Sequence, residues 1–181
     1  MKKNLLTLAV LLMFAVGASA QDFAKGDKVL NLGVGFGGSL TSGSTVIPPI
    51  SASLEFCIVD NLFDAKSSIG IGGYAGYTTS KWKYSSDWGW NYTNIVLGAR
   101  GAFHYQFVDK LDTYAGVMLG YDIVNTKEYG THAGSIGSGS ASGFIWSGFI
   151  GARYYFLPTI GVFAELGYGI AYGNVGVAFK F

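Results

Sequence analysis

Large apolar side chains recur at every second position over most of the chain, and this alternation predicts β-strands. The segment 160–181 shows it most clearly, with large side chains on one face and mainly glycine, alanine and a few charges on the other. We interpret Gly173-Asn174 within it as a tight turn, so the segment is predicted to form a hairpin. The large face of its first strand is Val162, Ala164, Leu166, Tyr168, Ile170 and Tyr172.

Earlier parts of the chain repeat this alternation. It predicts strands over residues 28–37, 50–59, 68–79, 92–107, 113–124 and 144–156. Most of them are close to the length at which a tilted strand crosses a bilayer. Predicted connections are short after the second, fourth and sixth strands and long after the first, third and fifth, over 38–49, 80–91 and 125–142. Because the last connection is tight, we expect an uneven rim at the end that carries the long connections.

The charged residues inside the predicted strands all share the face that carries glycine and serine. They are Glu55, Arg100, Asp122, Arg153, Glu165 and Lys180. A lysine or arginine facing the middle of a bilayer costs about 2–4 kcal/mol, so the apolar face must be the one in contact with lipid. Closing the sheet pairs the backbone groups that lipid cannot satisfy. The sequence therefore predicts an all-β, eight-stranded antiparallel up-and-down transmembrane β-barrel. A soluble lipocalin-like barrel, which would bury the large face, is the alternative.

The amino-terminal segment and the composition indicate the compartment in which the protein is located. Lys2 and Lys3, an apolar run over 5–16 and the small residues at 18–20 predict a cleaved secretory signal peptide over 1–20 and a barrel domain over 21–181. The single cysteine, Cys57, excludes an internal disulfide. Charged residues make up only 13% of the chain, and no cluster of basic residues predicts a nucleic-acid partner.

With its leader, its alternating strands and its terminal segment VGVAFKF, the chain resembles the small eight-stranded outer-membrane β-barrel proteins of Gram-negative bacteria, of the OmpX, OmpA-transmembrane-domain and OmpW type. Its glycine-rich chemistry is similar to that of the outer membrane beta-barrel proteins common in Bacteroidota. The resemblance implies a location in the outer membrane, in contact with its lipid and lipopolysaccharide. It also implies that Phe181 and Phe179 form the signal read by the barrel-assembly machinery.

The interior charges are the first candidate site. Arg153 and Glu165 flank a short turn at similar distances, so we expect them to lie near each other across adjacent strands. Replacing Arg153 by alanine should then leave Glu165 under-compensated and lower the unfolding midpoint. We interpret the charges as a neutral plug in a narrow lumen. The alternative is a narrow polar pore for small solutes.

The histidines provide little for catalysis or metal binding. His104 is expected to face inward near the periplasmic end, and His132 lies in the longest predicted loop, three residues before Ser135. Lipid-A-modifying barrels carry catalytic histidine and serine, but this chain has no His-x-Ser sequence, and catalysis needs a positioned base. The sequence predicts no enzyme, no metal ligand set and no cofactor, with a lipid-A-modifying enzyme kept as the remaining alternative.

An aromatic segment lies between the third and fourth predicted strands. It carries Trp82, Tyr84, Trp88 and Trp90 beside Lys81 and Lys83. We interpret the rings as part of an outer aromatic girdle and the lysines as contacts to lipopolysaccharide phosphates. The alternative is an external binding patch for a glycan or a protein, for which the long loops would supply the surface. The predicted function is a non-enzymatic outer-membrane protein with a structural or surface-interaction role.

Overall fold

The protein is a closed β-barrel of eight antiparallel strands, which confirms the predicted fold class. The computed structural model describes residues 23–40, 43–84, 88–130, 141–168 and 170–181, and the predicted leader lies outside them. The strands are β1 (Lys28–Phe36), β2 (Ser44–Asp60), β3 (Ser67–Lys83), β4 (Trp88–Val108), β5 (Leu111–Gly130), β6 (Gly143–Leu157), β7 (Ile160–Gly167) and β8 (Gly173–Lys180). No helix among these residues is long and apolar enough to span a membrane.

Pairing between β1 and β8 closes the barrel. Leu30 lies opposite Phe179 in this pairing. The Lys28 N–H donates to the Phe181 carbonyl at 2.9 Å, and the Phe181 N–H donates to the Lys28 carbonyl at 3.0 Å. The end of the chain is thus hydrogen-bonded to the start of β1, so the sheet has no free edge over this length.

The two faces of the sheet have opposite chemistry. Outward-facing side chains are apolar around the whole circumference, among them Leu32, Phe56, Ile71, Leu97, Leu119, Trp146, Val162 and Val177. Inward-facing side chains include the charged residues, with Arg153 and Glu55 fully buried. A soluble barrel would reverse this arrangement, so the apolar surface is suited to hydrocarbon.

Aromatic side chains border the apolar belt at both ends. At the end that holds the long connections, the Trp146 and Tyr168 ring centroids are 6.2 Å apart, and those of Tyr168 and Tyr172 are 6.4 Å apart. At the other end, Tyr105 and Phe107 lie 4.8 Å apart. Two such bands are typical of barrels that cross a membrane.

Four strands are longer than predicted at the end that carries the long connections. β2 begins at Ser44, β3 continues to Lys83, β4 begins at Trp88 and β5 continues to Gly130. Much of the three predicted long loops is therefore sheet. β1 last pairs with β2 at Ile50, and β6 last pairs with β5 at Asp122. Residues 44–49, 78–83, 88–94 and 123–130 project beyond those pairs, and we name them the β2–β5 extension.

Pro48 and Pro49, predicted to end a loop, lie inside β2. Proline cannot donate to a sheet ladder, so it is tolerated in a strand at an edge or at an irregularity. The register between β2 and β3 shifts between Thr45 and Ile47 and again between Ile47 and Ile50. These irregularities accommodate the two prolines and allow pairing to continue beyond them.

The predicted turn at Gly173-Asn174 is wrong. Both residues belong to β8, where Asn174 lies opposite Glu165 and Gly173 lies opposite Leu166. Tyr168 and residues 170–172 lie between β7 and β8 and are not in a strand, so the alternation does not apply to them. Ile170, predicted to face outward, is instead buried. The rim is uneven as expected, because β7 and β8 have 8 residues each and β4 has 21.

The orientation of the sheet can be tested by introducing an arginine at two different heights on the outward face of β5. Leu119→Arg places a cation in the apolar belt and should lower the free energy of unfolding in lipid vesicles by about 2–4 kcal/mol. Asn125→Arg, on the same face of β5 but in the extension, should change it by about 0–1 kcal/mol. Urea titration of the vesicle-inserted protein measures both. Equal losses for the two variants would contradict the assignment of the belt to hydrocarbon.

Candidate functional site

A buried ionic cluster surrounds Arg153 near the end of the barrel that holds the short turns. Arg153 Nη1 donates to Asp112 Oδ2 at 2.9 Å, and Nη2 donates to Glu55 Oε2. Asp112 lies directly opposite Arg153 on the adjacent strand, β5. Glu55 is on β2, four strands away in a barrel of eight, so this contact crosses the lumen from wall to wall.

His104, which is on β4, contacts the same two carboxylates. Its Nδ1 lies 2.8 Å from Asp112 Oδ1, and its Nε2 lies 3.0 Å from Glu55 Oε1. Carboxylates accept hydrogen bonds and do not donate them, so both contacts form only when both ring nitrogens carry hydrogen. In that state the two cations and two carboxylates of the cluster sum to zero charge. A neutral, fully connected cluster is the form in which buried charges are tolerated.

The amino-terminal segment closes the lumen below this cluster. Phe23 is buried, and its ring centroid lies 4.4 Å from that of His104. Backbone hydrogen bonds hold the segment, because the Gly26 N–H donates to the Cys57 carbonyl and the Cys57 N–H donates to the Asp27 carbonyl. No strand is predicted before residue 28, and Phe23 is the one large apolar side chain in 21–27 that could have indicated a buried segment.

A second ion pair lies farther up the lumen. Arg100 Nη2 donates to Glu165 Oε2 at 2.8 Å, and the Tyr114 hydroxyl donates to the same oxygen at 3.2 Å. The Arg100 guanidinium also lies 3.9 Å from the centroid of the Phe149 ring, a cation–π contact. Arg100 is on β4 and Glu165 on β7, so this pair also joins strands that are not neighbours.

Aromatic rings fill the lumen where glycines leave room. Tyr114 lies opposite Gly151, and Phe149 lies opposite Gly116. A methyl group added at Gly151 would come within 2.5 Å of the Tyr114 ring, and one added at Gly116 within 2.6 Å of the Phe149 ring. Interior glycines therefore do not leave an open channel, because rings from the adjacent strand occupy their space.

A small cavity remains beside the Arg100–Glu165 pair. Its volume is about 30 Å³, and its lining includes Tyr74, Met118 and Asn174. A cavity of this size has room for about one or two water molecules. Buried Ile170 also lines this cavity and belongs to an apolar cluster with Met118 and Phe149, against which Leu40 packs. In the described part of the lumen, apolar and aromatic side chains thus fill the space around the ion pairs.

Arg153 and Glu165 are on adjacent strands as predicted, but they do not form an ion pair with each other. Arg153 lies opposite Phe163, two residues away in register from Glu165, and each of the two charges has its ion partner elsewhere. Asp112, which immediately precedes the strand predicted over 113–124, belongs to β5 and completes the cluster. The sequence did contain a signal for this position: Asp112 lies two residues before Tyr114, so the alternation places both side chains on the inward face.

Two further predicted interior charges lie apart from both ion pairs. The Asp122 carboxylate accepts a hydrogen bond from Asn94 Nδ2 at 2.8 Å, near the extension. The Lys180 ammonium lies 5.1 Å from the centroid of the Tyr155 ring, near the short-turn end. The interior charges therefore do not form one network but are distributed along the height of the barrel.

The histidines do not form a catalytic arrangement in the described residues. His104 faces inward as expected, but the Phe23 and Tyr114 rings pack against it, and only 1% of it is exposed. His132 and Ser135 lie outside the described residues. Within the ranges that the structure describes, no group of three or more His, Cys, Asp or Glu side chains is arranged so that it could hold a metal ion.

The predicted aromatic loop is part of the β2–β5 extension. Trp82 on β3 lies opposite Trp90 on β4, and both share the face that continues upward from the lumen wall. They therefore do not belong to the outer girdle, which Tyr121, Trp146 and other rings form. Trp82 and Tyr84 are 47% and 74% exposed.

Trp88, also predicted as an external ring, is buried. Its Nε1 donates to Glu128 Oε1, and its ring centroid lies 4.4 Å from that of Trp90. The Tyr84 ring packs edge-on against it at 5.2 Å. Trp88 therefore fixes the inner face of the extension, while Trp82 and Tyr84 present aromatic surface.

Comparison with known proteins finds likeness in fold alone. No protein-family model matches the chain, and no curated protein matches its sequence. It superposes on the N-terminal β-barrel domain of Pseudomonas aeruginosa OprF with a TM-score of 0.52 and 14% identity, over 87% of this chain and 98% of that one. Ail, the attachment invasion locus protein of Yersinia pestis, solved in complex with the heparin analogue sucrose octasulfate, gives a TM-score of 0.53 at 11% identity. That match covers 87% of this chain and 99% of Ail. The protein therefore has the fold of the small eight-stranded outer-membrane β-barrels.

Proposed function

We propose that this protein is an integral outer-membrane protein whose closed barrel holds the β2–β5 extension at the outer surface, where it takes part in surface interactions. The observation that carries the proposal is the inverted arrangement of the sheet, with an apolar belt outside and paired charges inside. The predicted signal peptide over 1–20 agrees with export to that membrane.

The filled lumen favours a structural role over a pore. An ion passing along the barrel would have to separate Arg153 from Glu55 and then Arg100 from Glu165, and breaking a buried pair is strongly unfavourable. Phe23 and Ile170 add apolar barriers at the two ends. We therefore infer that the barrel does not conduct small solutes in its resting state.

The arrangement of His104 also supports a role without catalysis. A general base must reach the proton that it removes from a substrate. His104 is held between two carboxylates above Phe23, and its side chain is 2% exposed. A substrate could reach it only after the amino-terminal segment left the barrel.

The location and the closed lumen can be tested together. The protein in the membrane fraction should migrate differently on a gel before and after boiling, because a folded barrel resists detergent. Purified and inserted into planar bilayers, it should give no regular conductance steps. Recovery in the soluble fraction would contradict the membrane assignment, and stable steps would favour the pore.

The lumen-spanning bridge should dominate the stability of the barrel. Arg153→Met removes the charge but keeps much of the side-chain volume, so it leaves Glu55 and Asp112 under-compensated. We expect a loss of about 3–5 kcal/mol in the free energy of unfolding, measured by urea titration in vesicles. The matched control adds Glu55→Gln to Arg153→Met, which leaves Asp112 beside His104 and should recover part of the loss. Equal losses in the single and double variants would contradict a role for the bridge.

The exposed rings should carry the surface interaction. Replacing Trp82 and Tyr84 by serine removes the exposed aromatic surface of the extension and leaves buried Trp88 in place. Binding of cells that display the protein to a glycan array or to host cells should fall by about tenfold, as for loss of central aromatic contacts. The control is Phe63→Ser, because Phe63 is 82% exposed at the opposite end of the barrel. Equal binding by both variants and the parent would end the idea of an aromatic binding patch.

A further inference from the structure

We propose that the inner wall of the barrel, at the base of the β2–β5 extension, binds a monovalent metal cation, Na⁺ or K⁺. Its oxygen ligands come from Asp122 on β5, Asn94 on β4, and Thr78 and Ser80 on β3. The proposal goes beyond the surface role argued above, because the site lies inside the barrel and does not involve the exposed aromatic rings.

The carboxylate of Asp122 differs from the other interior carboxylates in its partner. Those others, within the described part of the closed barrel, contact Arg153 or Arg100. The Asp122 carboxylate instead accepts a hydrogen bond from Asn94 Nδ2 at 2.8 Å, and an amide carries no charge. Asp122 is only 4% exposed, and a buried carboxylate is tolerated in its charged form when a counter-charge is near. The charge of this site therefore suits a cation.

No lysine of the described residues is placed to neutralise Asp122. On the extension, Lys81, Lys83 and Lys127 project from the outward face, opposite the face of Asp122. The other described lysines lie at the short-turn end of the barrel. The internal segments outside the described residues contain one histidine, His132, and no lysine or arginine. A permanent counter-charge for an ionised Asp122 therefore has to come from outside the chain.

Four oxygen atoms of buried side chains could coordinate such a cation. Asp122 Oδ1, Asn94 Oδ1 and Ser80 Oγ have no hydrogen-bond partner among the described residues. All three residues are at most 4% exposed. Thr78 Oγ1 donates its hydrogen to the Ile47 carbonyl at 3.0 Å, so its lone pairs can still bind a cation. Buried polar atoms without a partner cost free energy, and coordination of an ion would remove that cost.

Strand register brings these side chains onto one face of the wall. Thr78 lies directly opposite Asn94. Val96, the next inward residue of β4, lies opposite Asp122, and Ser80 is the next inward residue of β3 after Thr78. Opposite residues of neighbouring strands have Cβ atoms about 5 Å apart, and diagonal neighbours are about 7–8 Å apart. The four side chains are thus close enough to converge on one ion.

The ligand set favours a monovalent cation. Carboxylate, amide and hydroxyl oxygens are ligands of hard cations, and neutral carbonyl oxygens replace the hydration shell of K⁺ in channels. A single carboxylate balances one positive charge, whereas Ca²⁺ or Mg²⁺ would leave a net charge in a buried position. Affinity for Ca²⁺ rises with the number of charged ligands, and this site has one.

The position of the site links it to the extension. Asp122 is the last residue of β5 that pairs with β6, and the Thr78 hydroxyl joins β3 to β2 through Ile47. The next inward row above includes Tyr92 and Thr126, which are only half-buried, so an ion can enter from the outer end. A cation bound there connects β3, β4 and β5 where they leave the closed barrel.

The test measures the stability of the mature chain in lipid vesicles while the cation is changed at constant ionic strength. Urea unfolding is followed in the chlorides of Na⁺, K⁺, Ca²⁺ and N-methylglucamine, an organic cation too large for the site. The solutions are kept at about pH 8, where a histidine of ordinary pKa is neutral. Asp122→Asn removes the charge at nearly constant size. The matched control, Asp109→Asn, removes an exposed charge at the opposite rim.

The parent and Asp109→Asn should be more stable in Na⁺ or K⁺ than in N-methylglucamine. At a cation concentration about ten times its Kd, the unfolding equilibrium constant should fall about tenfold. Asp122→Asn should respond equally to all the cations and, in N-methylglucamine, should be at least as stable as the parent, because it buries no charge.

Two results would overturn the proposal. One is an equal response to Na⁺ and K⁺ in the parent and in Asp122→Asn, which would place the ion elsewhere. The other is a parent whose stability is the same in every cation, which would mean that Asp122 is protonated and neutral. Stabilisation of the parent by Ca²⁺ at lower concentrations than by Na⁺ or K⁺ would overturn the assignment to a monovalent ion.

A second variant tests the position of the ion by a gain of affinity. Asn94→Asp adds a carboxylate to the same group of oxygens, so Ca²⁺ should stabilise it at concentrations that leave the parent unchanged. An Asn94→Asp protein that gains no stability from Ca²⁺ would contradict the role of Asn94 as a ligand. Gel mobility before and after boiling confirms that each sample is folded.

Discussion

Arg153 bridges Glu55 on the far wall of the barrel and Asp112 on the adjacent strand, and the rest of the interior is arranged around that bridge. A barrel of eight strands is narrow enough for side chains from opposite walls to meet. Charges excluded from the lipid face therefore find partners inside the barrel, and in two of the ion pairs, Arg153–Glu55 and Arg100–Glu165, the partners belong to strands that are not neighbours. His104 completes the balance of charge, and Phe23 separates the cluster from solvent.

The same narrowness explains why glycine and large aromatic residues share the inner face. The Tyr114 ring needs the space that Gly151 leaves, and the Phe149 ring needs that of Gly116. A uniformly small interior would leave voids, and a uniformly large one would not fit. Pairs of one ring and one glycine across neighbouring strands fill the lumen without separating the walls.

Alternation along the chain was sufficient to predict the strand number, the closed antiparallel fold and the face that each of Arg100, Arg153 and Glu165 occupies. It could not predict the ion pairs, because partners across a lumen depend on strand tilt and shear, which period-2 patterns do not contain. Ile170 was assigned to the wrong face because it lies between β7 and β8, outside the sheet, where the two-residue alternation no longer applies. Phe23 was missed because a short segment that enters the barrel has no periodicity.

In the β2–β5 extension, strand pairing rather than amino-acid composition determines which side chains share a surface. Trp82, Lys83 and Asn91 belong to a stretch rich in polar and aromatic residues, which is typical of a loop, yet β3 and β4 remain paired through it. Pairing gives adjacent residues opposite faces, so the tryptophans and the lysines of this stretch belong to two different surfaces. One face continues the lumen wall and is aromatic, while the other continues the lipid-facing surface and is cationic. Two different surface chemistries thus follow from extending four strands beyond their neighbours.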